Sequence, residues 1–273
     1  MPELPELELV AETLTRHALG RTVQAVVLNP KRAFVIRHPL EDFARDLAGR
    51  KLRDVTRRGK FMLFGFSDDG PMLVINPMLG GRFALASRAA PAIPDTCFTL
   101  QFDRALDFLF VDSTMGARIY LTPDPQIDVP SFAALGPDAL DPELSFEVFL
   151  ARLKRHRGEI KTVLRNQVFV AGIGNAYSDE ILFAARIRPL RRVTTLSEGE
   201  QRALYDAMRS VLSEAVATVK RQYAEKKHPL HKQDRSFMKI HSRNKAVCPR
   251  CGHRVSSVHA GGDGTYYCRG CQF

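Results

Sequence analysis

The sequence predicts a multidomain α+β protein: a β-rich first half led by one helix, then a helical domain, then a small metal-held ribbon. Three observations predict it. Between residues 22 and 121, short strand-like segments recur with turn residues between them; beyond residue 130 the apolar spacing becomes helical; and four cysteines close the chain as C-x2-C-x16-C-x2-C. The 273 residues are 45% hydrophobic, enough for more than one core. No apolar stretch approaches the ~20 residues of a membrane span, and neither a basic leader nor an apolar run opens the chain. The expectation is a soluble, cytoplasmic protein (bacterial-type cytosol or nucleoid), with no membrane partner and monomeric by default.

The chain opens MPELPELE. Pro2 lacks an N–H that a first helical turn could not use, Glu3 and Glu6 favour the positive end of the macrodipole, and Leu4, Leu7, Val10 and Leu14 recur at helical spacing up to Gly20. A second reading stands beside this one. Methionine before a small residue is generally removed, which would give Pro2 a free secondary amine able to attack a carbonyl carbon and form an iminium.

Strands follow in KFMLFGF, MLVINPM, CFTLQFD and DFLFVDS, with Asp68-Asp69-Gly70-Pro71 as a turn; short strands at this spacing point to a β-sandwich or barrel over 1–121. Cys97, in an alternating strand, reads as packing. TPDPQIDVP, 122–130, reads as a linker. In 131–237, Phe146, Phe149, Leu150 and Leu153 mark one helix, and Ile181, Leu182 and Ala185 another. Ser197-Glu198-Gly199-Glu200 is a capping box before a third, with Leu204, Met208, Val211, Leu212, Ala215 and Val219 on one face. Gly172-Ile173-Gly174-Asn175 precedes a helix start, where glycines let backbone N–H groups approach an anion, although glycine turns are also common without one.

The formal charge is +10, and ten Lys/Arg against two acids fall between Lys220 and Arg250. Such a block is either a solvated face or a nucleic-acid footprint. In the ribbon, 238–273, Cys248, Cys251, Cys268 and Cys271 have the spacing of a closed tetrahedral zinc site, whereas two disulfides would be unusual inside a cell.

Taken in order, MPELPE, Arg57-Arg58-Gly59-Lys60 as a strand start, GIGNAYSDEILFAARIRP and CPRCG…TYYCRGCQ resemble the formamidopyrimidine-DNA glycosylase/endonuclease VIII family over essentially the whole chain. The resemblance implies an N-terminal β-sandwich with a leading helix, a helix–two-turns–helix domain and a zinc finger, acting on damaged DNA. It implies that Pro2 is the nucleophile at C1′ of a damaged nucleotide, that Glu3 moves protons around the sugar, and that Lys60 holds a phosphate and assists proton transfer. Glu6 is possible catalytic support. Asn175 and Arg243 would join Lys60 in binding DNA, and a flipped base is required. The activity implied is that of a bifunctional glycosylase/AP lyase with one structural Zn²⁺.

Several departures accompany the resemblance. The finger tip reads Gly261-Gly262-Asp263-Gly264-Thr265, with a carboxylate where the family carries an arginine, so that Lys239, Arg243 or Lys245 would have to substitute. Asn76-Pro77-Met78-Leu79 and Ser113-Thr114-Met115-Gly116 stand where the family has its phosphate contact and gap-filling residues. No glycine-rich capping loop is evident between Val219 and Lys239, which points away from 8-oxoguanine as the main substrate. Two other classes compete: a damage-binding protein with reduced turnover on the same scaffold, and a zinc-ribbon transcription factor, which would leave the N-terminus unexplained.

Overall fold

The computed structural model describes residues 1–226, 230, 232–260 and 263–273, with Lys226, Ala260 and Asp263 described by backbone alone. The chain forms two compact units, Met1–Ala134 with Val219–Gln233, and Leu135–Thr218 with Asp234–Phe273. No described helix is long and apolar enough to cross a membrane.

The first unit opens with α1 (Leu4–Ala18), whose Leu4, Leu7, Val10, Ala11 and Leu14 face is buried and which ends before Gly20 at φ +76°. After it come β1 (Val23–Leu28), α2 (Leu40–Leu47), β2 (Leu52–Arg58), β3 (Phe61–Phe66), β4 (Met72–Asn76), β5 (Gly81–Ser87), β6 (Thr96–Phe102), β7 (Leu106–Asp112) and β8 (Arg118–Thr122). These build two antiparallel four-stranded sheets, in the orders β1-β6-β7-β5 and β2-β3-β4-β8. Each sheet contributes alternate residues to one core, the sandwich solution to two half-apolar faces. Phenylalanines fill it: Phe83 and Phe98 lie 5.3 and 6.0 Å from Phe110, and Phe43 of α2 meets Phe98 edge-on at 5.5 Å. Cys97 sits fully buried in β6, and burial pushes its thiol up to about 11, as packing requires.

Two local expectations change. Arg57-Arg58-Gly59-Lys60 is not a strand start: Arg57 and Arg58 end β2, and Arg58 pairs with Phe61, so Gly59 and Lys60 are the tip of a two-residue hairpin. Gly59 at φ +58° supplies the left-handed conformation that such a tight turn needs. In the proline-rich 122–130 stretch, Asp124 caps a single helical turn, α3 (Pro125–Asp128), by accepting the Gln126 N–H. Proline at the first helical position and aspartate at the cap explain it.

The second unit contains α4 (Phe146–Leu153), α5 (Ile160–Arg165), α6 (Asn175–Ala184) and the start of the 29-residue α7 (Glu198–Lys226), then the hairpin β9 (Val255–Ala260) and β10 (Asp263–Cys268). The capping box forms as read: Ser197 N–H donates to Glu200 Oε2 at 2.8 Å, and Glu200 N–H to Ser197 Oγ at 3.3 Å. Helix α6 is buried from Ala176 to Phe183, and β10 packs on it. The last two residues join the ribbon to the turn after α6. Phe273 N–H donates to Arg186 O at 2.9 Å, and Gln272 accepts the Cys268 N–H at 2.7 Å while donating to Ile187 O at 2.8 Å.

Candidate functional site

In the first unit the candidate residues gather at the start of α1. Pro2 is buried, Glu3 is 1% exposed, and Glu3 N–H donates to Glu6 Oε2 at 2.9 Å, so Glu6 closes the first turn. The β2–β3 hairpin is tied to this end of the helix through Arg57. Its Nε and Nη2 donate to Glu8 Oε1 at 2.8 and 2.6 Å, and its Nη1 donates to Gly59 O at 3.0 Å, fixing the turn that carries Lys60. Lys60 is only 9% exposed. A buried proline, a buried carboxylate and a mostly buried lysine thus occupy one helix start and the hairpin pinned beside it. The Arg57–Glu8 tie has no sequence signature, since 49 residues separate the partners.

Two loops of the same unit come together at the sheet edge. A Cβ at Gly80 would overlap Asp112 and Thr114, so glycine permits the 77–80 loop to lie against the 113–116 loop. Fully buried Asp112 organises the second loop by accepting the Thr114 and Ala117 N–H groups at 2.9 and 2.8 Å. The tips present Leu79 and Met115, both exposed apolar side chains.

In the second unit Asn175 is the first residue of α6, after Gly174 at the cap and Gly172 at φ +105°. Its Nδ2 donates to Gly264 O of β10 at 3.0 Å, while its Oδ1 is buried without a hydrogen-bond partner among the described residues. Behind this helix start lies a buried ionic network that the sequence did not reveal. Lys161 of α5 places Nζ 2.6 Å from Asp179 Oδ1 and 2.9 Å from Thr265 Oγ1, and His241 Nδ1 lies 2.8 Å from Asp179 Oδ2. Glu180 accepts the backbone N–H groups of Lys239, Ile240 and His241 at 2.8–3.0 Å. One signal could have found it: Asp179 and Glu180 stand directly before the apolar run Ile181-Leu182-Phe183-Ala184, in a helix whose residues are buried from Ala176 to Phe183.

Arg243 is exposed, with Nη2 and Nε donating to Ser236 O at 2.7 Å and Met238 O at 3.3 Å. Lys239 and Lys245 are also exposed. Of the finger tip, Gly261 and Gly262 lie outside the described residues and Asp263 is described by backbone alone; 227–229 and 231, in the stretch lacking a glycine-rich loop, are likewise outside.

The four cysteines meet the zinc test. Their ligand sulfurs all lie within 4.8 Å of one another, with Cys248–Cys271 at 3.8 Å and Cys251–Cys268 at 3.4 Å. Sulfurs held tetrahedrally at about 2.3 Å from one ion would be roughly 3.8 Å apart. Without a cation, burial and the neighbouring thiols push Cys271 up to about 12; Cys248, against the opposing effect of burial, is held down to about 7 by backbone N–H groups of Arg250 and Cys251. Four convergent thiols that cannot all ionise alone form a single structural zinc site, closed by four protein ligands.

A leading helix on a two-sheet sandwich, a helical domain and a four-cysteine ribbon define a three-part architecture. Models of the formamidopyrimidine-DNA glycosylase N-terminal domain, the formamidopyrimidine-DNA glycosylase H2TH domain and the zinc finger found in FPG and IleRS match residues 1–119, 135–226 and 247–272. The formamidopyrimidine-DNA glycosylases of Pelotomaculum thermopropionicum and Desulforamulus reducens are 34% and 32% identical, each aligned over 100% of this chain and 99% of the relative. A Lactococcus lactis FPG variant in complex with a Fapy-dG containing DNA is similar at TM-score 0.89 and 25% identity over 99% of both chains. MutM in complex with carbocyclic 8-oxo-G containing DNA gives 0.87 and 25% over 100% of both. The chain belongs to the formamidopyrimidine-DNA glycosylase family.

Proposed function

We propose that the protein is a base-excision-repair DNA glycosylase and AP lyase that works through the amine of Pro2. The observation that carries this reading is the buried Pro2–Glu3 pair at a capped helix start, with the Lys60 hairpin pinned to the same helix by Arg57. With Met1 attached, the Pro2 nitrogen is an amide and has no nucleophilic lone pair; removal of Met1 creates the amine. Its nitrogen then bonds to C1′ as the bond to the damaged base breaks, and the proton lost from the nitrogen leaves with the base. Glu3, held at the mouth of the helix, gives a proton to O4′ as the sugar ring opens, leaving an iminium. Loss of a 2′ proton expels the 3′ phosphate, a second elimination expels the 5′ phosphate, and hydrolysis of the iminium restores Pro2. Lys60 holds a backbone phosphate and assists the proton transfers.

Damaged DNA is the substrate class. Leu79 and Met115 fill the space left by the flipped nucleotide; neither can hydrogen-bond to the orphaned base, so the opposite base is read weakly. Asn175 and Arg243 contact the strand, and the zinc, when bound, holds the ribbon without entering the reaction. Ring-opened purines, oxidised pyrimidines, bulky lesions and abasic sites are favoured over 8-oxoguanine. The test is single-turnover cleavage of an abasic duplex by two preparations, one retaining Met1 and one processed, each verified by mass spectrometry. The processed form should cleave at least 10³-fold faster; equal rates would eliminate Pro2 as nucleophile.

A further inference from the structure

The sulfurs of the two cysteine pairs differ in what supports them. The second residue after the first cysteine of each pair donates its backbone N–H back to that sulfur, Arg250 to Cys248 and Gly270 to Cys268. After Cys271 the corresponding residue is Phe273, whose N–H goes to Arg186 O at 2.9 Å instead. Among the described residues, the donor from outside the four cysteines that reaches Cys271 Sγ is the side chain of Arg250, with Nη1 at 3.9 Å. That is a long N–H···S contact, in which the positive charge counts for more than the alignment.

Arg250 is held in place by Phe183 in two ways. The same Nη1 donates to Phe183 O at 2.7 Å, at the carbonyl end of α6 where a cation is favoured, and the guanidinium carbon lies 4.2 Å from the centroid of the Phe183 ring. Phe183 in turn packs in one apolar cluster with Cys248, Val255, Cys268 and Cys271. Four thiolates around one Zn²⁺ leave two negative charges in excess. Cys271 is buried in that cluster, so water does little to stabilise its share. A fixed positive charge beside this sulfur offsets it, as outer partners of metal ligands generally orient the ligand and strengthen its hold on the metal.

We propose that Arg250 is a positioning residue of the zinc site: its guanidinium gives the Cys271 thiolate the donor that the backbone gives Cys248 and Cys268, and it fastens that sulfur to the end of α6. The inference goes beyond the glycosylase reading and does not depend on it. Zinc retention and the anchoring of the ribbon on α6 are then linked through one side chain. Arg254 provides the contrast within the ribbon. It is exposed, its Nη1 donates to Lys245 O at 3.0 Å, and among the described residues no hydrogen bond joins it to a cysteine.

Two readouts on the full-length protein test this at one fixed pH and ionic strength: zinc affinity, by competition with a chromophoric chelator, and the sulfur-to-metal charge-transfer band after zinc is replaced by Co²⁺. Arg250→Met keeps an unbranched stem and removes the charge and the donors. It should bind zinc about ten-fold more weakly or worse. Its charge-transfer band should also move to lower energy, because a thiolate without its donor gives up electron density more readily. Arg254→Met, which removes an equal charge from the ribbon, should change neither. Arg250→Lys keeps the charge but not the fork; it should fall between the two in both readouts, and it decides the matter if Arg250→Met does not fold. Unchanged zinc affinity overturns the proposal, and so does weakened affinity with an unmoved band, which would make Arg250 a packing residue on Phe183 alone. Equal losses from Arg254→Met would also overturn it, by reducing the effect to net charge.

Discussion

In the first unit the space between the sheets is filled by phenylalanines, and its candidate catalytic groups sit at the edge, on a helix start and a hairpin tip. In the second unit a lysine and two carboxylates lie inside; the helix start carrying Asn175 is joined to the ribbon through Gly264, and Lys161 of α5 is joined to it through Thr265. The apolar interior tolerates small changes of side chain with graded loss. A buried ion network behaves differently, because removing one partner leaves an uncompensated charge. A graded apolar interior in one unit is thus combined with an all-or-none ionic arrangement in the other.

Metal removal should separate the units most. The ribbon has little core of its own, so chelation should release β9–β10 and the hydrogen bonds to Lys161 and Asn175, while leaving amide protection of the sheets intact. Hydrogen exchange measured by mass spectrometry would resolve the two responses. Because Cys271 is pushed up to about 12 without metal, zinc binding must displace its proton, so zinc affinity should rise with pH and zinc should be lost on acidification.

Single substitutions sharpen the contrast. Lys161→Met should cost about 3–5 kcal/mol by stranding Asp179, and Asp179→Leu added to it should restore much of that loss. Phe98→Ala in the sandwich should cost a similar ~3–5 kcal/mol through a cavity, and no second substitution should rescue it in this way. Denaturant unfolding of the four proteins measures both patterns. The smallest effect belongs to Ser197→Ala at the start of α7, about 1 kcal/mol from loss of the cap. There Arg191 holds the Glu200 carboxyl below the usual range, so its contribution is present above the ordinary carboxylate pKa and is lost as pH falls through the lowered one.

These two regions also differ in how far they could be read from sequence. The apolar face of α1, the alternation in β6, the Ser197–Glu200 box and the cysteine spacing are local patterns, and the structure has each of them. Gly59-Lys60 reads as a strand start because a glycine–lysine pair before an apolar run looks like the first residues of a strand; only the pairing of Arg58 with Phe61 reveals the turn. Lys161, Asp179, His241 and Thr265 lie far apart in sequence, and charged residues ordinarily predict solvent. Their convergence depends on how α5, α6, the 238–243 segment and β10 pack.

Borohydride reduction during reaction with an abasic-site duplex, followed by peptide mapping, tests the account most directly. An iminium at Pro2 should be reduced to a stable amine, giving a protein–DNA adduct whose attachment maps to the peptide beginning at Pro2, and none when Met1 is retained. Tight binding of the duplex by the Met1-free protein with no trapped adduct, or an adduct mapped to Lys60, would contradict it.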